Sequence, residues 1–248
     1  MSLPKILKPK INTKLRRFGR NYDGGYLVTK KSVTSAKSLL SFGILDDVSF
    51  EKDFTNLNKV DVHCFDHTVG RNFWKKKIYN DLGAGLYNLN FAFIKNTFNR
   101  YFEFKKFFSI KSNFLNIKTI KQESLSEIIK SKNLQQPIFL KVDIEGSEYR
   151  ILDEIVQLQE KFCTLIIEFH DVDINLKKIC NFIDNFNLKL THTHPNNYGF
   201  IAQKSLPTVI ECTFERDPEM EEGDVSLPNK FDQPNDPLTK DFKLIFEN

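Results

Sequence analysis

The feature that most constrains this chain is an alternation of short apolar runs with segments in which apolar residues recur at helical spacing. The apolar runs have the length of β-strands and cover residues 38–42, 60–65, 138–142, 163–169, 188–192 and 208–214. Helical segments begin near residue 49, at residue 124, at 146 or 147, and again after residue 170. Strands separated by helices assemble into a mostly parallel sheet that is covered on both faces. The sequence therefore predicts an α/β fold with a doubly wound sheet.

A further strand is predicted between residues 66 and 120, where the periodicity is weak and Gly83 with Gly85 indicates a turn. The spacing of Ser124 and Glu127 is that of a capping box, which predicts a helix start. The connection over residues 192–207 has no helical pattern. The last two strands are therefore predicted to run antiparallel, which completes a seven-stranded, mostly parallel sheet with a final antiparallel hairpin.

A length of 248 residues with 40% hydrophobic composition is sufficient for one domain with a full core. We expect a single domain over residues 1–248, with a basic arm at 1–17 and a tail at 217–248 that is acidic and then proline-rich. No segment has the apolar pattern of a membrane span or a signal peptide, so a cytoplasmic, water-soluble protein is expected. The cysteines lack CxxC spacing and are expected to be free and largely buried in strands; they are Cys64, Cys163, Cys180 and Cys212.

A basic stretch interleaved with phenylalanines follows the second strand. It contains Lys95, Arg100, Lys105, Lys106, Lys111, Lys118 and Lys121, together with Phe102, Phe104, Phe107 and Phe108. The pattern is typical of a surface that meets phosphate or nucleic acid, or of a solvated helix with an apolar underside. No nucleic-acid-binding motif accompanies the charge, so the second interpretation is favoured and no nucleic-acid partner is expected.

The residues that follow the strands predict a cofactor, because ligands of open α/β sheets bind beyond the carboxyl ends of the strands. These candidates are Gly43, Asp46, Asp47 and Phe50 after the first strand, Asp66 and His67 after the second, and Asp23, Gly24, Gly25 and Tyr26 in a turn upstream. The G-x-G-x-x-G motif that dinucleotides need for their pyrophosphate is absent. A single glycine followed by acids, with Asp66 placed to accept ribose hydroxyls, favours the cationic, phosphate-free S-adenosyl-L-methionine.

The end of the fourth strand carries a family resemblance. The run Lys141-Val142-Asp143-Ile144-Glu145-Gly146-Ser147-Glu148 resembles the most recognisable stretch of the FkbM family of methyltransferases. The resemblance also takes in the Asp-Gly-Gly-Tyr turn at 23–26, the segments 41–43 and 65–66, and the run 167–170, so it spans roughly residues 18–214. It implies a Rossmann-like class I methyltransferase fold, with Asp143 among the cofactor contacts, and methyl transfer from S-adenosyl-L-methionine to a hydroxyl of a sugar or other secondary metabolite. The match is weakest over residues 71–121, so no adenine contacts are assigned there.

Two mechanisms fit the polar residues at this edge of the sheet. Strand alternation places Glu168 and His170 on one face, and a row of histidines that includes His194 lies nearby. In the first mechanism, His170 or His194 is the general base and Asp143 orients the acceptor. In the second, Asp143, Glu168 and His170 hold Mg²⁺ or Mn²⁺, which lowers the pKa of the acceptor oxygen.

The acceptor is expected to be a small molecule, a sugar nucleotide or a surface or capsular glycan, with Glu145, Asn196, Asn197 and Glu211 as the candidate contacts. Two other functions remain open: an oxidoreductase of the NAD type, and a non-catalytic binding module on the same fold. The proline-rich tail is expected either to fold over the acceptor site or to be a mobile arm. The sequence indicates no oligomeric state.

Overall fold

The structure is a computed structural model that describes residues 2–70, 72–118 and 123–247, so Lys121 of the basic stretch lies outside the described residues. The strands are β1 (Ser2–Leu3), β2 (Leu15–Gly19), β3 (Gly25–Thr29), β4 (Ser38–Phe42), β5 (Asp61–Phe65), β6 (Asn113–Asn116), β7 (Ile138–Val142), β8 (Phe162–Phe169), β9 (Lys189–Pro195), β10 (Ile210–Glu215) and β11 (Ile245–Phe246). The α-helices are α1 (Lys30–Ser35), α2 (Ser49–Leu57), α3 (Phe73–Tyr87), α4 (Phe91–Phe107), α5 (Leu125–Ser131), α6 (Leu152–Gln157) and α7 (Val172–Asn185).

The central sheet has seven strands in the order β6-β5-β4-β7-β8-β10-β9. Strands β4, β5, β6, β7 and β8 pair in parallel, and β10 runs antiparallel to both β8 and β9. The predicted Rossmann-like class I methyltransferase fold, with its mostly parallel sheet and final antiparallel hairpin, is confirmed. The sheet order changes direction at β4, so the carboxyl ends of β4, β5 and β7 form a crevice of the kind that binds ligands.

Two helix predictions were wrong in detail. Gly83 and Gly85 do not form a turn but lie inside α3, and the chain reverses instead at residues 88–90. A Cβ on Gly85 would lie 2.3 Å from Cγ1 of Ile94, so the missing side chain lets α4 pack closely against α3. After β7 no helix begins at residue 146 or 147. Glu145 and Gly146 have φ values of 52° and 87°, and α6 begins only at Leu152 after a short 3₁₀ turn.

Most other boundaries agree with the sequence pattern to within a few residues. Ser124 and Glu127 form the predicted capping box, with the Glu127 N–H 3.2 Å from Ser124 Oγ and the Ser124 N–H 2.8 Å from Glu127 Oε2. Strand β9 extends to Pro195, beyond the expected end at 192, because its whole length pairs with β10. The cysteines are free, and Cys64, Cys163 and Cys212 are buried in strands as predicted.

The two faces of the sheet are covered differently. Helices α5, α6 and α7 bury one apolar cluster, which also includes Leu3 and Leu7 near the amino end. The other face is covered by α1, α2, parts of α3 and α4, and the hairpin formed by β2 and β3. Thr213 of β10 donates from Oγ1 to the carbonyl of Leu27, 2.8 Å away, which fixes this hairpin on the sheet.

The carboxyl-terminal segment packs against β9 and β10. The side chains of His192 and Asp232 are 2.8 Å apart, and both are almost fully buried. Asn235 donates from Nδ2 to Glu211 Oε1 at 2.7 Å. None of the helices in the described part of the chain is long and apolar enough to cross a membrane.

Candidate functional site

A cavity of about 790 Å³ lies at the carboxyl ends of β4, β5, β7 and β8. Its volume is in the range of small-molecule sites. The predicted site residues that line it are Asp23, Gly24, Tyr26, Gly43, Asp46, Asp47, Phe50, Asp66, His67, Asp143, Glu145, Glu168, His170 and Asn196. Most candidates for cofactor and metal binding therefore meet in one place, although they come from elements far apart in sequence.

Four candidates are not among the residues that line this cavity: Gly25, His194, Asn197 and Glu211. His194 Nε2 lies 3.2 Å from Asp241 Oδ2, and its Nδ1 lies 3.9 Å from Glu211 Oε2. The Asn197 amide donates to the carbonyl of Asp236 at 3.1 Å. Sequence alternation found the correct face of the sheet but not the carboxyl-terminal segment that covers this part of it.

Position 43 requires a glycine because of its backbone conformation and the close approach of a neighbouring strand. Its φ is 75°, and a Cβ on it would lie 1.5 Å from the carbonyl oxygen of Asp143. The predicted cofactor contact at Gly43 stays a prediction, and the close neighbour in the structure is the end of the adjacent strand β7. Leu45, Glu145 and Asp171 also have positive φ and line the cavity. A non-glycine residue with positive φ costs conformational free energy and persists only because the surrounding structure holds it in place. Such residues are concentrated at binding sites.

Asp66 organises the loop after β4. Its Oδ2 accepts the backbone N–H groups of Ile44 at 3.1 Å and Leu45 at 2.8 Å. Its Oδ1 accepts from the N–H and the hydroxyl of Thr68 at 2.8 and 2.6 Å. The carboxylate therefore ties the ends of β4 and β5 together at the wall of the cavity. The predicted ribose contact stays a prediction, and it requires one of these bonds to be shared or exchanged.

The acids after β4 are engaged by cations of the protein itself. Asp46 Oδ2 lies 3.3 Å from Lys77 Nζ and 2.9 Å from Arg100 Nη1. Burial opposes ionisation, but these two cations outweigh it and lower the pKa of Asp46. Asp47 Oδ2 lies 3.0 Å from Arg20 Nε. These carboxylates hold α3, α4 and the β2–β3 turn around the cavity.

Lys141 and Tyr26 surround the buried end of β7. Lys141 is 5% exposed and donates from Nζ to the carbonyl of Gly43 at 3.0 Å. The Tyr26 hydroxyl donates to Asp143 Oδ2 at 3.0 Å. Burial raises the pKa of the Asp143 carboxyl, although Lys141 and His170 oppose the rise. The sequence analysis did not assign Lys141 to the site. The sequence signal that could have identified it is a single charged residue inside an apolar strand.

His170 is oriented by a carboxylate that the sequence analysis did not assign to the site. Glu148 is fully buried, and its Oε1 lies 3.1 Å from His170 Nδ1. The same oxygen accepts the N–H groups of Ile144 and Gly146. A carboxylate on Nδ1 selects the tautomer with its proton there, which leaves the lone pair on Nε2. Glu148 lies in the Glu145-Gly146-Ser147-Glu148 run, which was its sequence signal.

The other nitrogen of His170 points to carboxylates of the cavity. His170 Nε2 lies 3.4 Å from Glu145 Oε2 and 3.7 Å from Glu168 Oε1. Burial lowers the pKa of His170, but the bond to Glu148 and the charges of Asp143 and Glu145 outweigh it, so the net shift is upward. Burial also raises the pKa of Glu168 well above its ordinary value, and Asp143 adds to the rise.

One ligand atom from each of Asp143, Glu168 and His170 lies within 4.8 Å of the others. Two carboxylates and an imidazole are a donor set that suits Mn²⁺, and the carboxylates also suit Mg²⁺. Burial of Asp143 next to Glu168 raises the pKa of both carboxyls, and a cation between them would relieve their repulsion. The three residues therefore fit a divalent ion chemically. Asn196 donates from Nδ2 to Glu168 Oε1 at 2.8 Å and so positions this carboxylate.

Comparison with known proteins gives one family match. The family model described as Methyltransferase FkbM domain matches residues 43–201. No curated protein matches the chain.

Comparison with solved structures gives matches with low scores. An rRNA methylase from Streptococcus thermophilus is 8% identical, with a TM-score of 0.42, and the match covers 75% of this chain and 90% of that one. A precorrin-6y C5,15-methyltransferase from Geobacter metallireducens is 12% identical, with a TM-score of 0.40 and coverage of 76% and 84%. M. capricolum TrmK, bound to S-adenosyl-homocysteine, is 11% identical, with a TM-score of 0.38 and coverage of 79% and 69%. Scores this low assign no substrate.

Proposed function

Because the chain belongs to the FkbM methyltransferase domain family, we propose that it is an S-adenosylmethionine-dependent O-methyltransferase. The proposed acceptor is a hydroxyl of a sugar, and that sugar is carried by a nucleotide or by a surface glycan. The observation that carries the proposal is the His170–Glu148 pair, whose Nδ1···Oε1 distance is 3.1 Å and whose His170 lines the same cavity as Asp143 and Asp66. A methyltransferase that acts on a hydroxyl needs a positioned base, and this pair supplies one.

S-adenosylmethionine supplies a methyl group that is already activated by the sulfonium, so this chain has to align an acceptor oxygen and take its proton. The cavity fits the cofactor because its wall carries carboxylates, including the half-buried Asp143 and the buried Glu168, which favour a cation without phosphate. The backbone around Gly43 and the side chains of Asp66 and Tyr26 would hold it. We assign Asp143, bonded to the Tyr26 hydroxyl, to acceptor orientation.

The proton passes to His170. Glu148 keeps the imidazole in the tautomer whose Nε2 lone pair faces Glu145 and Glu168. The acceptor hydroxyl would donate its proton to that lone pair, so that its oxygen could take the methyl group while the bond from that methyl to sulfur breaks and S-adenosylhomocysteine leaves. The imidazolium that forms is stabilised by Glu148 and by neighbouring carboxylates, which is why the pKa of His170 is raised. Glu148 is a positioning residue because it acts through His170.

A polyol acceptor is supported by the rim of the cavity. Tyr198 and Phe200 line the cavity and are 63% and 70% exposed, so their faces are free to stack on a sugar ring. Arg20 and Lys118 line it as well; they are paired with Asp47 and Glu123, and they would exchange these partners for the phosphates of a sugar nucleotide. A mass-spectrometric screen of nucleotide sugars for the gain of one methyl group tests the acceptor class. An NAD-type oxidoreductase, which remains the alternative, would produce no such gain.

Asp66→Ala is expected to weaken S-adenosylmethionine binding by about 10- to 100-fold, because it removes a charged partner of two loop amides together with the proposed ribose contact. Isothermal titration calorimetry measures the change. Asp61→Ala is the matched control, because Asp61 is an exposed acid at the opposite end of the same strand. Equal affinities in the two variants would contradict the role of Asp66, and binding of NAD without S-adenosylmethionine would contradict the proposed function.

A divalent ion is the second mechanistic candidate, because Asp143, Glu168 and His170 bring their ligand atoms within 4.8 Å. When bound there, the ion would lower the pKa of the acceptor hydroxyl. Since Glu148 already makes His170 a base, we expect dialysis against EDTA to change kcat by less than about twofold. For comparison, a positioned base contributes about 10²- to 10⁴-fold to the rate. Loss of activity that Mn²⁺ restores, with no Mn²⁺ bound by Glu168→Gln in electron paramagnetic resonance, would select the metal mechanism instead.

A further inference from the structure

Helices α3 and α4 end in a tip that carries no charge and packs against little of the protein. The hairpin tip, residues 82–94, contains no Asp, Glu, Lys or Arg. Its large side chains are exposed: Leu86 by 58%, Tyr87 by 89%, Leu89 by 78% and Phe91 by 66%. Monomeric soluble domains rarely group so many apolar side chains on the surface without a partner. This tip is therefore a contact surface.

The exposed face of α4 continues this surface with a different chemistry. Phe91, Lys95, Phe102 and Lys106 recur at helical spacing and are exposed, while Phe104 lies on the opposite face and is 4% exposed. The sequence had favoured a solvated helix with an apolar underside. Phe102, however, is 63% exposed, so the outer face also carries aromatic rings between its lysines.

The charge of the hairpin is strongly unbalanced. Residues 73–107 contain seven lysines and arginines and two acids. Lys77 and Arg100 are paired with Asp46, and Glu103 is paired with Lys52. Lys75, Lys76 and Lys95 are exposed and take part in none of the ion pairs within the described part of the chain. Their charge is therefore available to an anionic partner.

We propose that the α3–α4 hairpin docks this protein on an anionic lipid membrane, with the hairpin tip in the headgroup layer and the lysines on lipid phosphates. Apolar and aromatic side chains on one surface, bordered by lysines, are the pattern of helices that lie in a membrane interface. A nucleic acid would use the lysines and the rings but would gain little from Leu86 and Leu89. A second copy of the chain would bring like charges together. The proposal does not depend on methyl transfer.

Docking also places the cavity close to the lipid surface. Lys77 of α3 and Arg100 of α4 contact Asp46, which lines the cavity, so the hairpin and the site are joined by half-buried ion pairs. The hairpin tip lies about ten residues beyond Lys77, or roughly 15 Å along the helix. An acceptor carried on a membrane lipid would then be within reach.

Vesicle co-sedimentation tests the proposal with the full chain and no cofactor. We expect binding to vesicles of phosphatidylglycerol and phosphatidylcholine, and at least about tenfold weaker binding to phosphatidylcholine alone, because nearby lysines each contribute about fivefold on an anionic surface. Leu89→Asp combined with Phe91→Asp should weaken binding at least about tenfold by removing the apolar contact. Ile174→Asp combined with Leu238→Asp is the matched control, since these exposed residues, 77% and 92%, lie outside the hairpin.

The charge requirement is tested separately. Lys75→Glu with Lys76→Glu should weaken binding to the anionic vesicles at least about tenfold, and Lys30→Glu with Lys31→Glu, two exposed lysines on α1, should leave it unchanged. Tyr87→Trp adds a probe at the tip to the single natural Trp74, which is 8% exposed. Its emission should shift to the blue and be quenched by brominated lipid, whereas the natural chain should show neither change.

Three results would overturn the proposal. The first is no binding to anionic vesicles. The second is equal binding by the hairpin and control variants. The third is that the natural chain does not bind vesicles but forms a dimer or a complex with single-stranded RNA, and that the variant with Leu89→Asp and Phe91→Asp no longer forms it.

Discussion

His170→Ala is expected to lower kcat for methyl transfer by about 10³-fold, the usual contribution of a well-placed general base. The reason is that Nε2 of this histidine faces the cavity while its Nδ1 is held by Glu148 at 3.1 Å. KM for S-adenosylmethionine should change little, because the lost contact acts on the acceptor proton. Steady-state kinetics with the acceptor found by the mass-spectrometric screen measures both values.

The controls separate a base from a structural histidine. His194→Ala should leave kcat within about threefold of the natural chain, because His194 contacts Asp241 and Glu211 outside the cavity and donates nothing to the acceptor. Glu148→Gln keeps the shape of the positioning residue but removes its charge, so the pKa of His170 should fall. If His170→Ala and His194→Ala lost activity equally, the assignment of the base would be wrong.

The pH dependence follows from the raised pKa of His170. A base acts only when it is neutral, so kcat/KM of the natural chain should be highest above this pKa and fall as the pH drops through it. In Glu148→Gln the falling limb should move to lower pH, because the charge that favours the imidazolium is gone. A profile without that displacement would show that Glu148 does not act through His170.

The central strands were predictable because each is an uninterrupted apolar run. Strands β4 and β7 lie in the middle of the sheet, where both faces are buried, and their observed bounds are those of the sequence pattern. Helix α4 agrees only in part with the predicted solvated helix with an apolar underside, because its phenylalanines lie on exposed and buried faces alike. Helix α3 was not predicted, because its sequence shows no clear helical period. Glycines within α3 then suggested a turn, although Gly85 serves helix packing.

The candidate site was predictable where it depends on strand alternation. Asp143, Glu168 and His170 follow or end neighbouring parallel strands, so their convergence follows from the order of the sheet. However, the residues that pair with the charged side chains of this region, and so determine what each side chain can do, come from distant parts of the sequence. Asp46 is paired with Arg100, and His194 with Asp241, in contacts between residues about fifty positions apart. Periodicity holds no information on such contacts, which depend on how loops and the tail pack.

Gly43→Ala is expected to cost at least about 3 kcal/mol of unfolding free energy, among the largest effects of a single substitution. An added Cβ would lie 1.5 Å from the carbonyl oxygen of Asp143, and the backbone would also be strained at a φ of 75°. The clash has no simple relief, because the Gly43 N–H donates to Phe65 at 3.0 Å and the Asp143 N–H donates to Phe42 at 3.0 Å. Urea unfolding followed by circular dichroism measures the loss.

The matched control is Gly83→Ala, at a position inside α3 where an added Cβ has nothing within 4 Å. Alanine is favoured over glycine in a helix by about 1 kcal/mol, so this variant should be as stable as the natural chain or more stable. The same change from glycine to alanine should therefore lower the unfolding free energy at position 43 but not at position 83. The reason is that the backbone of Gly43 is pressed against a neighbouring strand, whereas that of Gly83 is open. A Gly43→Ala variant within about 1 kcal/mol of the natural chain would show that the ends of β4 and β7 separate easily. That outcome would remove the rigid edge on which the placement of Asp143 in the cavity depends.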